Sequence, residues 1–159
     1  MTEQKTTPPN LTHPGTAQTP TTASRSDSPT DSTAPGDVAQ MNERWVTAYL
    51  TAWSSNRADD ITALFTEDAS YFTEPYSDPW VGHQAIVDGW LEHADGPDSF
   101  TFEWVPLVLT AELSAVQGVT TYAEGTVYSN LWLIRFAPDG RAREFTEWWM
   151  DQAHSSDTD

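Results

Sequence analysis

The spacing of the apolar residues changes once along this chain, and that change limits what the chain can fold into. Between residues 41 and 91 the large apolar side chains recur at three- and four-residue steps, which marks one face of an α-helix. From residue 100 they fall into four runs, 100–109, 115–123, 126–136 and 141–150, joined by short segments with turn chemistry. Pro138-Asp139-Gly140 is the strongest of these, because Pro presets φ and Gly accepts a positive φ. Successive hairpins make an antiparallel meander. Helices followed by a meander predict an α+β fold in which the helices cover one sheet face.

Three helices are expected. Met41, Trp45, Ala48, Tyr49, Ala52 and Trp53 form the inner face of the first, capped by Gly36 or Asp37. Asp59 or Asp60 caps a short second helix with Ile61, Leu64 and Phe65 inward. Residues 69–75 read as a strand ended by Pro75, with Glu74 as its last polar residue. After a loop, Gly82 and His83 lead into a third helix carrying Ile86, Val87, Trp90 and Leu91. A strongly curved, cone-shaped sheet of about four to six strands under these helices would leave a cavity between the layers.

Residues 1–36 are rich in Thr, Pro and Ser and hold almost no large apolar side chain, so nothing there offsets the entropy of ordering. They are expected to be a disordered tail, with the folded domain at 37–153 and a flexible acidic end at 154–159. No apolar leader and no run of about 18 apolar residues is evident, which predicts a soluble, cytoplasmic protein. The formal charge of −17, from 24 acids and 7 bases, repels phosphate backbones and anionic membranes. No nucleic-acid or membrane partner is therefore expected. The absence of cysteine excludes disulfides and thiolate metal sites. The four histidines lack metal-ligand spacing, and no phosphate loop or dinucleotide fingerprint occurs. Neither metal nor cofactor is expected.

All eight tryptophans lie after residue 44, and a cluster of that size makes either a large core or the wall of an apolar pocket. Trp53, Tyr71, Trp80, Trp90, Trp104, Tyr122, Asn130, Trp132 and Trp149 are the candidate ligand-contacting residues. Glu147 lies mid-strand between large aromatics, where a charge needs a partner. The hairpin register decides which one. A four-residue loop pairing Phe136 with Arg141 sets Asn130 opposite Glu147. A three-residue loop with a Gly140 bulge sets Leu131 there instead. The first register is preferred, because the second puts Arg135 opposite Arg143.

The segments "AYLTAW", "ITALFTEDASY", "EPYSDPWVGHQAI" and "GRAREFTEWW", in this order over about residues 41–152, resemble the nuclear transport factor 2-like superfamily. The resemblance is to its SnoaL-like branch, which includes ketosteroid isomerase and polyketide cyclases. It implies an oxyanion-binding tyrosine at Tyr49 and a proton-shuttling acid before a proline at Glu74-Pro75. The third isomerase element, a protonated acid, falls on Trp132, an indole instead of an acid. No counterpart of the superfamily's Asp–Arg–Asp epoxide hydrolase arrangement is found. Members often dimerise through the outer sheet face, where Leu131 and Leu133 would lie.

The first functional expectation is therefore a binder of a small hydrophobic molecule, an apolar carbonyl or polycyclic compound. The alternative is a cofactor-independent isomerase or cyclase with Glu74 as base, Tyr49 as oxyanion donor and Glu147 in the same site. A second alternative is a non-catalytic dimerisation module.

Overall fold

A computed structural model describes residues 34–154. The expected N-terminal tail up to residue 33 and the acidic end from residue 155 lie outside the described residues. Helix α1 (Pro35–Ser55) starts two residues before the expected domain boundary. Its first turn begins with proline, whose missing N–H and preset φ suit that position. It ends at Asn56, whose φ of 50° is the left-handed cap conformation that asparagine tolerates.

Helix α2 (Ala58–Leu64) has Arg57 at its N-cap, so Asp59 and Asp60 sit inside the first turn instead of capping it. Acids there still complement the helix dipole. Phe65 does not belong to this helix. It opens β1 (Phe65–Phe72) and is fully buried. That strand ends two residues before Glu74, which lies in the reversal where the Ser77 N–H donates to the Glu74 carbonyl at 3.2 Å. The reversal returns the chain to β2 (Trp80–Val81), a two-residue strand read as loop from sequence. Its ladder, Ser70 with Val81 and Tyr71 with Trp80, is too short to leave a periodic signal.

Helix α3 (Gly82–Glu92) follows, and then the meander: β3 (Phe100–Leu109), β4 (Leu113–Tyr122), β5 (Val127–Phe136) and β6 (Ala142–Asp151). The sheet is open, in the order β2-β1-β6-β5-β4-β3. The meander ladders are antiparallel, while β1 joins β6 in parallel. The sheet curves around α1. Trp45 in the middle of that helix meets Phe136 and Phe145 on the central strands β5 and β6, and Trp53 near its end stacks on Phe100 of edge strand β3 at 3.9 Å.

Along β5 the burial alternates. Asn130, Trp132, Ile134 and Phe136 face the helices, and Leu131 and Leu133 lie half-exposed on the other face. Gly89 of α3 lets Trp80 lie flat against the helix, since any Cβ there would overlap the indole ring.

The register between β5 and β6 differs from both expected alternatives. At the turn the three-residue loop holds: the Ala137 N–H donates to the Arg141 carbonyl at 2.8 Å, and Gly140 has φ +84°. Phe136 pairs with Ala142, but the next pair is Arg135 with Glu144, so Arg143 is left over as a bulge. The bulge avoids the Arg135–Arg143 repulsion and replaces it with an Arg135–Glu144 ion pair at 3.0 Å. Beyond it Trp132 lies opposite Glu147 and Asn130 opposite Trp149.

Candidate functional site

Between the helices and the concave sheet face lies a cavity of about 730 Å³. Tyr49 and Trp53 reach it from α1, Tyr71 from β1, Trp80 from β2 and Trp90 from α3. The meander contributes Tyr122, Asn130, Glu147 and Trp149, and the reversal after β1 contributes Glu74. Two of the candidate residues lie elsewhere. Trp132 is fully buried under the cavity floor, and Trp104 packs against the core from the edge strand.

Trp132 organises that floor. Its ring stacks on Phe102 at 4.5 Å and tilts against Tyr49 at 4.7 Å. Its indole N–H donates to Oε1 of Glu147 at 2.9 Å, so it is already engaged and is not a free donor for a ligand oxygen. Asn130 donates to the same Oε1 at 3.0 Å, and Thr120 donates to the Asn130 carbonyl oxygen at 2.8 Å, which fixes the amide orientation. Burial pushes the Glu147 carboxyl above the ordinary carboxylate range. The two N–H bonds oppose that shift, and the charge of Asp95 adds to it.

The hydroxyls of Tyr49 and Tyr71 lie 2.6 Å apart, joined by one hydrogen bond. Burial raises both phenols well above their ordinary value, with the Glu147 charge contributing, so both stay protonated at physiological pH.

Asp95, in the loop after α3 and also in the lining, accepts from the indole of Trp53 at 2.8 Å and from the phenol of Tyr122 at 3.0 Å. Burial and this Asp95 contact raise the Tyr122 phenol. The Asp95 backbone is pinned by the Asn56 amide at 2.8 Å, and the same Asn56 accepts the Trp90 N–H at 3.2 Å. Sequence reading missed Asp95 and Asn56. Asn56 had a signal, as the asparagine that ends a helix. Asp95 had none, since it sits in a stretch that reads only as a helix stop. His83, in the first turn of α3, donates from Nε2 to the Phe65 carbonyl at 2.9 Å and is not in the cavity lining.

A three-helix, curved-sheet α+β domain with a cavity between its layers is the architecture that the residue spacing predicted. The SnoaL-like domain family model matches residues 46–151, and the chain belongs to that family. Solved structures agree on the fold. An NTF-2-like protein of unknown function from Burkholderia xenovorans LB400 superposes with a TM-score of 0.60 at 13% identity, over 76% of this chain and 91% of that one. The epoxide hydrolase/cyclase-like enzyme SalBIII, of pyran ring formation in the polyether salinomycin, gives 0.52 at 17%, over 70% and 92%. A steroid delta-isomerase from Pseudomonas aeruginosa gives 0.51 at 15%, over 71% and 82%. No curated protein sequence matches the chain.

Proposed function

We infer that this protein holds an apolar small molecule, polycyclic or carrying a carbonyl, in the cavity between its helices and its sheet. The observation that carries this reading is the cavity itself. Its volume of about 730 Å³ falls inside the range of roughly 300–1,000 Å³ typical of ligand pockets. Aromatic faces wall it on both layers, and a few polar groups converge on it. Membership of a family whose fold also serves an isomerase and a cyclase supports it. Native mass spectrometry of protein purified from its own host is expected to reveal a co-purifying small molecule. A ligand-free protein that also fails to take up apolar probes would sink the reading.

A cofactor-independent isomerase or cyclase is the second reading, favoured by the Tyr49–Tyr71 hydroxyl pair in the same cavity as Glu74. One O–H is used within the pair and the other remains to be given. In this reading Glu74 takes a proton from the carbon next to a ligand carbonyl. The C–H electrons move into an enolate, whose oxygen accepts the remaining phenol O–H. Glu74 then returns the proton to carbon. Glu74→Gln is expected to abolish deuterium exchange at that carbon while ligand affinity stays within about threefold. Unchanged exchange would remove Glu74 from the mechanism.

We also infer that two copies associate through the outer sheet face, where Leu131 and Leu133 are half-exposed. Sedimentation at micromolar concentration is expected to give a dimer, and a monomer would count against it. A cytoplasmic location belongs to the same reading. Among the described residues, no helix is long and apolar enough to cross a membrane.

A further inference from the structure

We propose that the ligand of this cavity carries a protonated amine, held between the Glu147 and Asp95 carboxylates and against aromatic faces. The proposal rests on the reading of the cavity as a small-molecule site and names the chemical class it takes.

The two acids come from β6 and from the loop after α3, and both line the cavity. They are held in the same way. Oε1 of Glu147 takes both of its hydrogen bonds, from the indole of Trp132 and the amide of Asn130. Oδ2 of Asp95 takes both of its bonds, from the indole of Trp53 and the phenol of Tyr122. All four donors are neutral. They orient the carboxylates without supplying an opposite charge, and a charge partly withdrawn from water favours a partner of opposite sign. The second oxygens, Oε2 and Oδ1, accept no hydrogen bond among the described residues.

Among the described residues no lysine or arginine lines the cavity to act as a counter-ion. Arg57, Arg135 and Arg141 pair with acids outside it, Asp60, Glu144 and Asp139. His93 does line it, but its Nδ1 is bonded to the Gly89 carbonyl at 2.9 Å and its ring stacks on Trp80. A metal ion does not fit either, since among the described residues no three acids or histidines converge closely enough to hold one.

An organic ammonium does fit. Indole and phenol faces attract a cation within about 6 Å of the ring centre. Tyr128, also in the lining, meets both Tyr122 and Trp149 edge-on, at 5.9 and 5.8 Å, so aromatic faces flank the acids. Burial holds the Glu147 carboxyl above its ordinary range, and a bound ammonium would draw it back down. Tyr71, Trp80 and Trp90 are left to cover the apolar body of the ligand.

The test uses two probes with one hydrocarbon, aminomethylanthracene, a cation at neutral pH, and anthracenemethanol, which is neutral. Each is titrated into the full chain at physiological ionic strength and followed by fluorescence anisotropy. The amine is expected to bind about tenfold or more tightly than the alcohol. Glu147→Gln and Asp95→Asn are each expected to lower the preference for the amine over the alcohol by about tenfold, with alcohol binding as the internal reference for an intact cavity. Glu103→Gln, an exposed acid on β3, should change neither and so controls for the general acidity of the surface. Equal binding of the two probes overturns the amine proposal and leaves the cavity reading standing. Amine binding that falls as far in Glu103→Gln as in Glu147→Gln assigns the preference to surface charge and also overturns the proposal. Binding of neither probe overturns both readings.

Discussion

Trp132→Ala is expected to cost about 3–5 kcal/mol, the range for truncating a fully buried large aromatic. A domain of this kind holds only about 5–15 kcal/mol in all. Trp132 has no exposed surface and touches Phe102, Tyr49 and Phe145 with its ring. Its loss opens a void at the centre of the sheet. It also removes one of the two N–H donors on Oε1 of Glu147, so the cavity term and the unpaired-acceptor term add. Trp132→Phe separates the two, because it keeps much of the stacking and loses the N–H, for an expected cost of about 1–3 kcal/mol. The urea midpoint, followed by near-ultraviolet circular dichroism, reads both variants. A loss below about 1 kcal/mol for the alanine variant would mean that the floor of the cavity repacks freely, contrary to a tightly packed interior.

Glu147→Gln is expected to stabilise the protein, and only at neutral and alkaline pH. The folded state raises the Glu147 carboxyl, with burial as the largest cause, so the native protein binds this proton more tightly than the unfolded chain does. The stabilising contribution of the protonated acid is therefore full below the unfolded carboxyl value of about 4.3, and it is lost as pH rises through the folded value. Glutamine mimics the protonated acid and can still accept from Trp132 and Asn130. The difference in melting temperature, variant minus wild type, should be near zero at pH 4 and grow positive toward pH 8. Each kcal/mol is worth about 3 °C at this size. A variant that melts lower than wild type at pH 8 would show that the two N–H bonds outweigh burial at Glu147.

Much of the fold was legible because it depends on local periodicity. The four meander strands fall within two residues of their expected ends, since alternation and turn residues are written into each strand separately. The cavity-facing set on β5 and β6 was legible for the same reason. The actual pairing differs from the preferred register by two residues, and a shift of two keeps every side chain on its face. Asn130 and Glu147 therefore share the inner face as expected, although Trp132 now lies opposite Glu147.

Other features depended on contacts that the local sequence does not encode. The sequence by itself determined the layers, the inner faces and the turn at Pro138-Gly140, because each follows from spacing along one segment. The Arg143 bulge was decided across strands, by the gain of an Arg135–Glu144 pair over an arginine–arginine contact. The strand β2 exists only because Tyr71 and Ser70 offer it a ladder. Asp95 enters the site because Trp53 and Asn56 at the end of α1 and Tyr122 at the end of β4 converge on one loop residue from two distant parts of the chain. Which acids line the cavity together, and which donors hold them, is a property of the folded cavity, because hydrogen bonds between such distant residues form only once the sheet has curved around α1.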